Sequence, residues 1–203
     1  MTRRTCLGTA LGALMLLPAC TATGEAPVAA VVPPATAQAP GERVAEALVS
    51  GHKAFATDGS AHVLAQVSQE LSNLGAKPAS DEETDLADIW LAEAHTRGFA
   101  DDTPPFRGRI LGPAYQTGRL APGEASETSQ LFLAGEQAEV VAIPVEDTDL
   151  QLEIVEGEGE RNCTPPPTTA RSVCRWIPIF TSRYHIRVRN TGDRESDFYL
   201  VTN

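Results

Sequence analysis

The sequence predicts an α+β protein, a small helical region followed by an antiparallel β-sandwich. Three observations predict it. Between residues 42 and 98, apolar residues recur at spacings of three and four, the repeat of one helix face. From Ser126 the spacing changes to two, with turn residues between the runs, as in short strands. Ahead of both lies a stretch with neither period, which sets the folded part apart from the amino terminus.

The chain begins with a basic segment. Arg3 and Arg4 precede a tract, Leu7–Ala19, in which every residue is apolar or small. This is the pattern of an export signal, so residues 1–19 are expected to be a signal peptide of a bacterial envelope protein. The tract is too short to span a bilayer, which takes about 20 residues. The competing reading, a first core helix, meets Pro18 and then a segment with nothing to continue it. Leu17-Pro18-Ala19-Cys20 resembles a lipobox, which implies acylation of Cys20; Pro18 departs from the usual pattern. Ordinary cleavage after Ala22 or Ala37 is the alternative, giving a soluble periplasmic protein. Thr2-Arg3-Arg4-Thr5 with Leu7 also resembles a twin-arginine signal, with Cys6 where Phe is usual. Residues 20–41 are rich in Ala and Pro and read as a tether. Membrane attachment is expected only through the N-terminal lipid.

Charge and cysteine usage narrow the class further. The chain has 16 basic and 27 acidic residues, a net charge of −11. Loss of Arg3 and Arg4 with the signal leaves 14 basic residues against the same 27, a net charge of −13. Phosphate binding needs clustered Lys and Arg, so nucleic acid is not expected as a partner, nor is electrostatic docking on anionic lipid. Of the four cysteines, Cys6 leaves with the signal and Cys20 is the lipidation candidate. Cys163 and Cys174 remain, and in an oxidising compartment they read as a disulfide. A two-thiol metal site is the rival, but no His or further Cys lies nearby at ligand spacing.

Three helices are expected within residues 42–98. Val44, Leu48 and Phe55 share a face in the first; Val63, Val67, Leu71 and Leu74 in the second; Leu86, Ile89, Trp90 and Ala94 in the third. Asp58-Gly59-Ser60 separates the first two, Gly75 ends the second, and Ser80 with Glu83 has the spacing of a capping box for the third. Residues 99–125, with Gly112-Pro113 and Pro122-Gly123, read as an extended connector. Strands are expected at Thr128–Leu133, Ala138–Val145, Leu150–Ile154, Cys174–Ile177, Tyr184–Arg189 and Phe198–Thr202, making residues 126–203 the sandwich.

Within those strands the runs Asp147-Thr-Asp-Leu-Gln-Leu152, Cys174-Arg-Trp-Ile-Pro178, Tyr184-His-Ile-Arg-Val-Arg-Asn190 and Phe198-Tyr-Leu-Val-Thr-Asn203, with Cys163, Thr181 and Gly192, occur in a telling order. Together they resemble the bacterial pre-peptidase C-terminal domain over roughly residues 126–203. Gln151, in the place of a usual Asp or similar polar residue, and the Pro165–Pro167 run depart from that family's pattern. The resemblance implies a jelly-roll-like sandwich and a non-catalytic appendage that assists secretion, stability or binding of extracellular polymers. Some members bind calcium. The peptidase that normally precedes the domain does not fit in residues 42–125.

Motifs of catalysis are not found. His-Glu-x-x-His, Gly-x-Ser-x-Gly, a phosphate-cradling glycine loop and a dinucleotide fingerprint are all missing from the sequence. His52, His62, His95 and His185 are scattered, and Asp58, Ser60 and His62 share one turn as cap and solvent groups. Trp176 and Tyr184 could stack on a sugar but suit inward strand positions. Seven acidic residues lie between Glu146 and Glu160 without a basic one. Asp147 and Asp149 there are candidate calcium ligands, against the plainer reading of a charged edge that discourages strand pairing. The expected function is therefore a non-catalytic binding or accessory module for an envelope polymer or protein. An inhibitor, chaperone or targeting partner of an exported hydrolase is the second reading, and a hydrolase with an unrecognised site the third.

Overall fold

The chain carries its own start and stop signals for three helices, and all three helices form. The computed structural model describes residues 38–57, 59–100, 111–157 and 159–203, so the expected signal peptide, Cys20 and nearly all of the tether lie outside it, as do Asp58, residues 101–110 and Glu158. Helix α1 (Pro40–Ala56) opens with proline at its first position, where a missing N–H costs nothing, and the Glu42 carboxylate accepts the Ala39 N–H. Helix α2 (Ala61–Leu74) is capped by the Ser60 hydroxyl, which accepts the His62 N–H, and Gly75 ends it in the left-handed conformation. Helix α3 (Leu86–Thr96) differs from expectation at its start. Its cap is Asp85, whose carboxylate accepts the Ala87 N–H at 3.0 Å, whereas Ser80 only closes a turn onto Glu82. A carboxylate immediately before the helix outcompetes a capping box placed five residues upstream.

Among the described residues nine strands follow or interleave: β1 (Lys77–Pro78), β2 (Ala114–Leu120), β3 (Ala125–Phe132), β4 (Ala138–Pro144), β5 (Leu150–Glu156), β6 (Glu160–Cys163), β7 (Ser172–Trp176), β8 (Ser182–Asn190) and β9 (Ser196–Thr202). They form two sheets, ordered β1-β2-β9-β4-β7 and β3-β8-β5-β6. All pairings are antiparallel except that of β1 with β2. The six expected strands are all present. Strand β2 corrects the reading of residues 99–125 as a connector throughout. It pairs along its whole length with β9, Tyr115 against Val201 and Leu120 against Ser196. Strands β1 and β6 were not expected either.

The five-stranded sheet is buried on both faces. On one side Leu120, Val140, Ala142, Phe198 and Leu200 meet Leu152, Ile154, Ile186 and Val188 of the four-stranded sheet. On the other, Tyr115, Val141, Tyr199 and Val201 meet Val44 and Leu48 of α1 and the apolar faces of α2 and α3. The molecule is thus three layers, helices on sheet on sheet, with two apolar interiors. Alternate residues of β4 and β9 supply one interior each, which is why both strands read as near-continuous apolar runs. The expected stripe on α1 holds at Val44 and Leu48 but turns outward at Phe55, which is 43% exposed beneath the Arg97 guanidinium. Gly51 takes its place, leaving room for the Trp90 ring of α3.

Cys163 and Cys174 are bonded, with Cα atoms 6.0 Å apart. The bond joins β6, at one edge of the smaller sheet, to β7, at the edge of the larger. It therefore clamps the sandwich where the two layers have no shared strand.

Candidate binding surface

Large apolar side chains gather outside the core at one end of the sandwich. Two loops build this end. Residues 133–137 carry the chain from β3 in one sheet to β4 in the other, and residues 177–181 carry it back from β7 to β8. The loops are stitched together: the Gly135 N–H donates to the Pro178 carbonyl at 2.9 Å, and the Ala134 N–H to the Thr181 hydroxyl at 3.1 Å. Gly135 has a φ of +76°, a conformation that lets the tight turn present its N–H to the opposite loop. Pro178 is buried, and its neighbours are turned out. Ile179 is 83% exposed, Phe180 75% and Ile177 64%, with Leu131 and Leu133 half exposed beside them. A shallow groove of about 200 Å³ runs past Leu131, Leu133, Gln137 and Asn203 on the flank. Beneath the surface, Phe132, Trp176 and Tyr184 pack edge to face, with centroids 4.9 to 5.6 Å apart, and stiffen the base of both loops.

The chain enters the folded body at this same end. The Gly41 N–H, in the first turn of α1, donates to the Glu139 carboxylate at 3.0 Å, and Glu139 is the second residue of β4. Arg175, at the end of β7, donates to Glu139 and to Glu42, and Arg171 donates to Glu42 and Glu46. Three carboxylates and two guanidiniums thus form one network across α1, β4 and β7. Burial pushes the Glu42 carboxyl up, but the hydrogen bonds from Arg171 and Arg175 outweigh it and hold the group below the usual carboxylate range. The Asn203 side chain completes the seam, its oxygen accepting the Glu139 N–H and its amide donating to the Gln137 carbonyl.

The residues singled out from sequence fall elsewhere. Asp147 and Asp149 lie in the bend between β4 and β5, not on an extended strand, with buried Thr148 between them. The Asp149 carbonyl accepts from Thr191 and the Asp147 carbonyl from Arg194, so the main-chain oxygens a cation would use are engaged. Among the described residues no group of three or more His, Cys, Asp or Glu side chains is placed to hold a metal. Tyr184 is buried and Trp176 packs against it, so neither ring offers a face for a sugar. Ser60 caps α2, and His52 bonds the Tyr199 hydroxyl at 2.9 Å within the helix–sheet layer. The outer face of the smaller sheet carries Arg183, His185, Arg187 and Arg189 in a row along β8, with Arg187 paired to Glu127 at 3.3 Å. What sequence reading missed is the apolar end. The expected strand takes in Ile177 and leaves Ile179 and Phe180 in no element, although three apolar residues around Pro178 break the period of two.

No protein-family model matches the chain, and no characterised protein matches it by sequence. Among solved structures, the chain is similar to the pre-peptidase C-terminal domain of a Bacillus anthracis collagenase, at 7% identity over 44% of this chain and 88% of that one, with a TM-score of 0.37. It is similar to the Yersinia pseudotuberculosis-derived mitogen at 15% identity, 46% and 86% coverage and a TM-score of 0.37. A third likeness is to Aeromonas hydrophila PliG, a periplasmic inhibitor of g-type lysozyme, at 10% identity, 45% and 84% coverage and a TM-score of 0.33.

Proposed function

We propose that the chain is a non-catalytic binding module of the bacterial cell envelope, exported, held by an acylated Cys20, and making its contacts through the apolar end. The exposure of Ile177, Ile179 and Phe180 on loops held rigid by one another carries this reading. Contiguous exposed apolar residues mark interaction sites, and each Ile or Phe removed from water there is worth about 1.5–3 kcal/mol. Rigidity supports the same conclusion, because loops already ordered lose little entropy on contact. The Cys163–Cys174 bond supports export, since such bonds persist in oxidising compartments. The test is hydrogen exchange on the full chain with and without envelope extract. Slowed exchange at residues 131–137 and 177–181 is the expected outcome; protection confined to other surfaces removes the reading.

A further inference from the structure

We infer that the apolar end rests on a lipid bilayer with zwitterionic headgroups, Ile179 and Phe180 dipping below them; this rests on the reading of that end as the binding surface. Three observations converge. First, Ile177, Ile179 and Phe180 stand largely exposed and line no deep cleft among the described residues, as suits side chains that enter an interface. Second, the segment bearing Cys20 joins the body here, through Pro40 and Gly41 beside Glu139. Nineteen residues lie between Cys20 and Pro40. A tether of that length without regular structure would span roughly 25 Å, so a lipid on Cys20 would keep this end, not the opposite one, near the bilayer. Third, part of the charge at this end is paired. Arg175 holds both Glu42 and Glu139, which leaves Glu136 as the exposed carboxylate on the two loops, so this end opposes a lipid surface less than the net −13 of a chain without Arg3 and Arg4 would suggest. That net charge still disfavours an anionic surface, which is why zwitterionic lipid is specified.

The end opposite supplies the control. Phe55, in the last turn of α1, lies fourteen residues along the helix from Gly41, about 21 Å away. Phe180→Trp and Phe55→Trp chains, prepared separately at full length, would be placed on phosphatidylcholine vesicles with brominated acyl chains. Bromine quenches only rings that reach the acyl region. The emission gained from Phe180→Trp should fall roughly twofold or more on brominated lipid, and that from Phe55→Trp should not change. Adding Ile179→Asp to the Phe180→Trp chain should abolish the quenching while leaving the melting temperature intact, since Ile179 is outside the core. Equal quenching at both positions, or none at Phe180→Trp, overturns the inference. If lipid fails to quench while a lipid-free extract still slows exchange at residues 177–181, the occupant is a protein and the binding surface itself stands. If both fail, the two readings fall together.

Discussion

At the scale of single residues, small and charged side chains at the seams decide how the layers meet. Gly51 is a case of size. A Cβ there would sit 2.2 Å from the Trp90 ring, which is itself 2% exposed and has no room to retreat. Gly51→Ala is therefore expected to cost about 1–3 kcal/mol in urea unfolding, although alanine is the better helix former. Glu42 is a case of charge. Its carboxyl is held below the usual range in the folded chain, so its contribution is present above the ordinary glutamate value of about 4.3 and is lost as pH falls through the folded value. Glu42→Gln should lower stability near neutral pH by about 1–3 kcal/mol, with the gap to wild type closing as pH falls below the usual carboxylate range. A gap that stays constant with pH would mean the ion pairs with Arg171 and Arg175 contribute nothing.

At the scale of elements, what could be read from the sequence depended on whether a segment's apolar residues formed an alternating or a continuous run. The six strands that alternate cleanly or run apolar throughout were legible, and so were the three helices. Strand β2 was not, for a physical reason. Its two deeply buried residues, Tyr115 and Leu120, face opposite layers, and Gly118 yields its place to the Phe198 ring, so no stripe of alternating residues forms. Tyr115 instead serves the helices, its hydroxyl donating to the Asp85 carboxylate and accepting the Leu86 N–H at the start of α3. The apolar end was illegible because composition cannot separate an apolar loop from a buried strand end; only the carbonyl of Pro178, bonded to Gly135, shows which way the flanking isoleucines turn. Two predictions belong here. Leu48→Ala, in the face of α1 that covers the sheet, should cost about 2–5 kcal/mol. Cys163→Ser with Cys174→Ser should cost about 3 kcal/mol in the chain-entropy account of a short closed loop, measured as a lower urea midpoint.

At the scale of the whole molecule, the helices and the sandwich share a sheet, and this separates the chain from a sandwich with an appendage. The face of β4 and β9 that holds Val141 and Val201 would be bare without α1. Helical and β signals should accordingly be lost in one transition on heating; two separate transitions would contradict the shared interior. The same unity gives the molecule a direction. The chain's entry, the paired carboxylates, the carboxyl-terminal Asn203 and the exposed apolar loops all lie at one end. The measurement that tests this directly is photocrosslinking in intact cells, with a benzophenone side chain replacing Phe180 in one strain and Phe55 in another. The account predicts adducts, to lipid or to a protein, from position 180 and none above background from position 55. An unreactive position 180, or equal labelling at both, would contradict it.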